Sequence, residues 1–152
     1  MRTILLYIWL GMMGSILLGC AKASSDPDKN VPVTTGPTYN EEFKWTPSGG
    51  AEVTADSCHY YTSFTTIYAF KNGNSKSIEI NLSALTTGTY PFNAASGNLL
   101  TYVNGTSTYT STAGSLTISS TNDNRLAGTF SVALGGGTVT SISGRFSDVH
   151  KK

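Results

Sequence analysis

The stretch "RLAGTFSVALGGGTVTSISGRFSDV", residues 125–149, decides the fold. Leu126, Gly128, Phe130, Val132 and Leu134 take every second position, with polar or small residues between them. Successive side chains of an extended chain point to opposite faces, so this alternation buries one face and wets the other. Gly135-Gly136-Gly137 breaks the run, and Thr138, Thr140, Ile142, Gly144 and Phe146 resume it. The segment predicts a hairpin of strands 125–134 and 138–147. A short triglycine loop makes paired residue numbers sum to about 272, with Gly128 opposite Gly144, Phe130 opposite Ile142 and Leu126 opposite Phe146. The twin Gly-x-Phe units then leave paired gaps on the inner face, and close packing by neighbouring aromatics is the expected filling.

The same pattern extends outward. In "KSIEINLS" (76–83), Ile78, Ile80 and Leu82 alternate with Glu79, Asn81 and Ser83, and in "GSLTISS" (114–120) Leu116 and Ile118 do likewise. Asn72-Gly73-Asn74, Asn104-Gly105 and Asn122-Asp123-Asn124 supply turns. Further strands are predicted near 42–46, 51–55, 58–62, 64–71, 76–83, 99–103, 106–111 and 115–120. Segment 51–71 has no Gly, Pro or Asn, and its β-branched and aromatic content favours strands over a helix. The predicted fold is all-β, a single antiparallel sandwich or flattened barrel of consecutive hairpins.

The N-terminus carries an address. Arg2 supplies a charge, and Ile4 to Leu18 is almost wholly apolar, as in a secretory signal. The run is shorter than the roughly 20 apolar residues that span a bilayer. It ends in Leu17-Leu18-Gly19-Cys20, which resembles the bacterial lipobox, with signal peptidase II cutting before Cys20. That resemblance implies a diacylglycerol thioether and an acylated amine (palmitate-type chains) on Cys20. Two or three chains, at about 0.8 kcal/mol per buried methylene, hold a protein stably on a membrane. Residues 1–19 are therefore expected to be removed. Residues 20–40, with Pro27, Pro32 and Pro37 and few large apolar side chains, read as a lipidated linker. As flexible coil it spans roughly 25 Å, and fully extended about 60–70 Å. Residues 41–150 make one domain, large enough for a core without disulfides. With Cys20 lipidated, Cys58 stands alone and reads as a small buried hydrophobe.

From Cys20 onward nine basic residues (ten less Arg2) balance nine acidic ones, so nucleic acid is not an expected partner. Gly88-Thr89-Tyr90, Tyr102, Tyr109, Gly114-Ser115-Leu116-Thr117-Ile118, Gly128-Thr129-Phe130-Ser131 and Gly144-Arg145-Phe146 together resemble small uncharacterised lipoproteins of Bacteroidota. The likeness runs over about 76–149, with Trp45 and Gly49-Gly50 opening the domain. It implies a lipid-anchored all-β domain at the outer membrane of a diderm bacterium, and no activity.

No catalytic constellation is legible. Ser57, His59 and Asp56 are strand neighbours that cannot converge on one site, and no nucleophile elbow is present. Glu52, Asp56, Glu79, Asp123 and Asp148 nominate no carboxylate pair. Zinc spacing is absent, and the 122–124 loop lacks the alternating ligands of a Ca²⁺ site. Neither a cofactor nor a metal is expected, and an enzyme is not. A monomeric binding or accessory module remains, with a glycan or an envelope protein as partner, or else a structural spacer. Trp45, Tyr60, Tyr61, Tyr102 and Tyr109 are the candidate ligand-facing aromatics; of the consecutive Tyr60 and Tyr61, one must face outward on a strand. The competing reading places most of these rings in the core.

Overall fold

The computed structural model describes residues 38–152. The signal segment 1–19, the Leu17-Leu18-Gly19-Cys20 motif and linker residues 20–37 lie outside them. In chain order the strands are β1 (Glu42–Pro47), β2 (Val53–Thr54), β3 (Ser57–Tyr61), β4 (Thr66–Lys71), β5 (Lys76–Asn81), β6 (Gly88–Pro91), β7 (Leu99–Asn104), β8 (Ser107–Ser120), β9 (Arg125–Gly135) and β10 (Ser141–His150). All pair antiparallel in one sheet of order β2-β1-β10-β9-β8-β7-β5-β4-β3, with β6 beside β8. The sheet curls into a half-barrel. Its far strand is drawn back to the C-terminus, where Tyr60 bridges Lys151 in parallel and Lys152 N–H donates to the Tyr60 carbonyl (2.9 Å).

Curvature comes from register shifts that add a residue to one strand. They fall in β8 between Ser111 and Ala113 and between Ile118 and Ser120, and in β10 between Phe146 and Val149. The concave side holds the core: Phe43, Trp45, Ile67, Ile78, Ile80, Leu100, Leu116, Ile118, Phe130, Ile142 and Phe146 among others.

The β9–β10 hairpin forms as the alternation requires, but the pairing is displaced by two residues from the predicted register. Phe130 lies opposite Gly144, Phe146 opposite Gly128 and Ile142 opposite Val132, while Leu126 faces Val149 beyond the bulge. The loop closes late: β10 begins at Ser141 rather than 138, and Leu134 N–H donates to the Thr140 carbonyl (2.8 Å). An even displacement keeps Leu126 to Leu134 and Ile142 to Phe146 on their predicted faces, whereas Thr138 and Thr140, expected inward, are exposed in the loop and Val139 packs against the core instead. It also explains the glycines. A Cβ on Gly128 would sit 2.6 Å from the Phe146 ring, and one on Gly144 would collide with the Phe130 ring and the Lys44 carbonyl. Each phenylalanine thus fills the gap of the glycine across from it, so the gaps are packing and not a pocket.

Three other expectations change. Strands 106–111 and 115–120 are one 14-residue strand, because Ser111-Thr112-Ala113-Gly114 forms a bulge rather than a turn. β6 was not foreseen; Gly88 and Pro91 bracket a four-residue strand that takes the edge of β8 where β7 has left it. The predicted 51–55 strand shrinks to Val53–Thr54. The loop after β6 is pinned by buried Asn98, whose amide donates to Pro91 O (2.9 Å) and whose Oδ1 accepts from Ser83 N–H (2.7 Å).

Candidate functional site

The alternation of β3 and β4 turns Cys58, Tyr60, Ile67 and Ala69 inward. It sends His59, Tyr61, Tyr68 and Phe70 to the outer face. His59 lies directly opposite Tyr68, and Tyr68 in turn lies opposite Glu79 of β5. Phe64, in the connecting loop, is 71 % exposed. These five rings line a surface groove of about 290 Å³.

The rings are packed in parallel and crossed pairs. Tyr68 and Phe70 are nearly parallel (6°) with centroids 5.9 Å apart, and His59 lies 5.8 Å from each at a shallow tilt. Tyr61 stands almost perpendicular to His59 (87°) and Tyr68 (79°). Phe64 meets Tyr61 edge-on at 6.2 Å. The loop that carries Phe64 is fixed from beneath. The Thr66 hydroxyl, on a fully buried residue, reaches the Phe64 carbonyl (2.8 Å) and Asn81 Oδ1 (2.6 Å). Asn81 Nδ2 donates to Glu79 Oε1 (3.0 Å), and Leu82 N–H donates to the Thr65 carbonyl (3.0 Å). The Phe64 side of the groove is thus held by hydrogen bonds within the chain, which lowers the ordering cost of binding.

The electrostatics are mild. Burial lowers the His59 pKa below 6.5, helped by Lys152 and His150, so the ring is neutral at neutral pH. Burial raises the Tyr68 hydroxyl, and the Glu79 carboxylate beside it adds to the effect. Lys71 pairs with Asp56 at the Phe70 end. At the other side His150 Nδ1 lies 2.5 Å from Glu41, which also takes Arg125 Nη1 at 2.9 Å.

Of the five aromatics nominated from sequence, only Tyr61 belongs to this groove. Trp45, Tyr60, Tyr102 and Tyr109 are corrected to core positions: each is at most 5 % exposed. Parity is the reason. Tyr60 shares the inner face with Cys58, and Trp45 lies opposite side-chain-free Gly144. Tyr102 and Tyr109 are directly paired and stack at 5.7 Å inside the sheet. The Trp45 indole N–H and Tyr102 hydroxyl are buried without hydrogen-bond partners. His59, Phe64, Tyr68 and Phe70 were missed. The signal was present in "HYY" and "YAF", where rings recur at i and i+2 on two strands joined by a short loop.

The other residues weighed for chemistry stay apart. Burial pushes the Cys58 thiol up to about 11, which makes it a poor nucleophile. Glu52 pairs with Arg145 (2.9 Å), Asp148 accepts from Asn40 N–H (3.1 Å), and Asp123 accepts from the Tyr39 hydroxyl (3.3 Å). Among the described residues no three His, Cys, Asp or Glu side chains are grouped to hold a metal.

No curated protein and no solved structure matches the chain. One family does match, over residues 52–150, which takes in β2 to β10 and the whole aromatic groove but leaves out β1 with its core residues Phe43 and Trp45. That match covers well over half of the sequence, and the chain belongs to the family described as a domain of unknown function (DUF6252).

Proposed function

We propose that this protein is a lipid-tethered binding module of the bacterial envelope, with the β3–β4 groove as its ligand surface. One observation carries the reading: five aromatic and imidazole rings crowd the outer face of one hairpin, where no other element among the described residues covers them. Apolar rings on an outer face gain nothing from the core, and preformed concave clusters of this kind are the ordinary form of a binding site. The tether rests on the sequence alone, on the apolar run ending in Leu17-Leu18-Gly19-Cys20. An outer-membrane address follows from the resemblance to Bacteroidota lipoproteins.

The test has two parts. The mature protein purified from membranes should carry an acylated N-terminal Cys20 by mass spectrometry, and Cys20→Ala should move it to the soluble fraction. The chain from residue 20 with Cys20→Ala, titrated with a soluble extract of its own cell envelope, should show backbone amide shifts concentrated at 59–70. Shifts spread evenly over the domain, or none, sink the groove assignment.

A further inference from the structure

We infer that the groove takes a sugar, a neutral hexopyranose unit of an envelope glycan; the inference rests on the groove being the ligand surface. Three observations point to this class. The first is size. A groove walled by five side chains on one hairpin is far short of the roughly 20–30 residues a side of a stable protein interface, and its volume of about 290 Å³ sits at the small end of small-ligand pockets.

The second is the shape of the ring surface. The Tyr68 and Phe70 rings stack in parallel, with His59 tilted against both, so the groove is lined by aromatic surface. Aromatic faces are electron-rich, and the C–H face of a pyranose carries the complementary partial positive charge. Tyr61 stands across the planes of His59 and Tyr68 and adds a second ring orientation to the lining. Among the described residues the lining holds no aliphatic side chain of the kind that would suit a lipid or an apolar peptide.

The third is the polar border. Glu79 lies next to the Tyr68 hydroxyl and is already bound on one oxygen by Asn81 Nδ2. Its remaining acceptor capacity and the hydroxyl of Tyr61 are suited to the equatorial hydroxyls of a sugar. The nearby cations Lys71 and Arg125 are occupied by Asp56 and Glu41. The Glu79 carboxylate at the border repels an anionic ligand and favours a neutral one, with Lys152 near His59 as the opposing charge.

The experiment uses the Cys20→Ala chain from residue 20 and four probes: methyl β-D-glucopyranoside, methyl β-D-galactopyranoside, methyl α-D-mannopyranoside and N-acetylglucosamine. Saturation-transfer NMR should show transfer from aromatic protons to the ring C–H protons of at least one sugar. The dissociation constant should be on the order of 1 mM, the scale open to a ligand of about a dozen heavy atoms. Tyr68→Ala and Phe70→Ala should each weaken it at least tenfold, and Glu79→Gln severalfold, with thermal melts confirming that the variants fold. The envelope extract supplies the decisive arms. Periodate, which cleaves vicinal diols, should abolish the extract-induced shifts at 59–70, and proteinase K should leave them. Loss to proteinase K with survival of periodate overturns the sugar and keeps the groove as a protein-binding surface. No shift at 59–70 with either extract or sugar overturns both.

Discussion

Two regions of this sheet are rich in aromatic rings, and they use them oppositely. In the β9–β10 hairpin, Phe130 and Phe146 point inward and each occupies the space left by a glycine on the neighbouring strand. In the β3–β4 hairpin, His59, Tyr61, Tyr68 and Phe70 point outward, and among the described residues no glycine or neighbouring strand receives them. The first set has a counterpart within the sheet; among the described residues the second has none. What separates them is the parity of the strand, since a shift of one position exchanges the two faces. A count of aromatics therefore says little about function until each ring is assigned a face.

The sharpest way to break this contrast is to remove a ring from each side. Phe146→Ala, which empties the space over Gly128 and leaves Phe43 without its stacked neighbour at 5.6 Å, should lower unfolding free energy by about 3–5 kcal/mol in denaturant titration. The groove variants Tyr68→Ala and Phe70→Ala should cost less, about 1 kcal/mol or under, because the lost contacts are at the surface. If they destabilise as much as Phe146→Ala does, the outer rings are a second core and the groove reading falls.

The smallest effect is on pH dependence. The folded His59 pKa lies below its unfolded value of 6.5, so the unfolded chain binds a proton more readily. The contribution of His59 to stability is then fully present above about pH 6.5 and declines as pH falls through 6.5 toward the folded value. Thermal melts between pH 7.5 and 5 should show a decline that His59→Gln flattens. An unchanged slope in that variant would overturn the assignment of the decline to His59.

Much of the fold was legible because alternation is a local signal. Ile78/Ile80, Leu116/Ile118 and Leu126 to Leu134 each announce a buried face unaided. The register of β9–β10 was not legible, since it depends on how Gly135 to Thr140 close the loop and on how rings on one strand meet glycines on the next. β6 escaped because Gly88-Thr89-Tyr90-Pro91 has only one inward side chain, Tyr90. The site was half legible. Consecutive Tyr60 and Tyr61 required one outward ring, but only pairing of His59 with Tyr68 brings the remaining rings together.

The first described residues have a mechanical consequence. The Tyr39 ring lies under Arg125 at 3.9 Å, Asn40 is held by Asp148, and Glu41 by Arg125 and His150. Arg125 also grips the Asp148 carbonyl (2.6 Å). A pull on the chain from its N-terminal side is thus delivered to β9 and β10 before it can peel β1 away. With Cys20 fixed in a membrane as proposed, drag on the domain would be borne by this clamp, and Trp45 and Phe43 would stay seated.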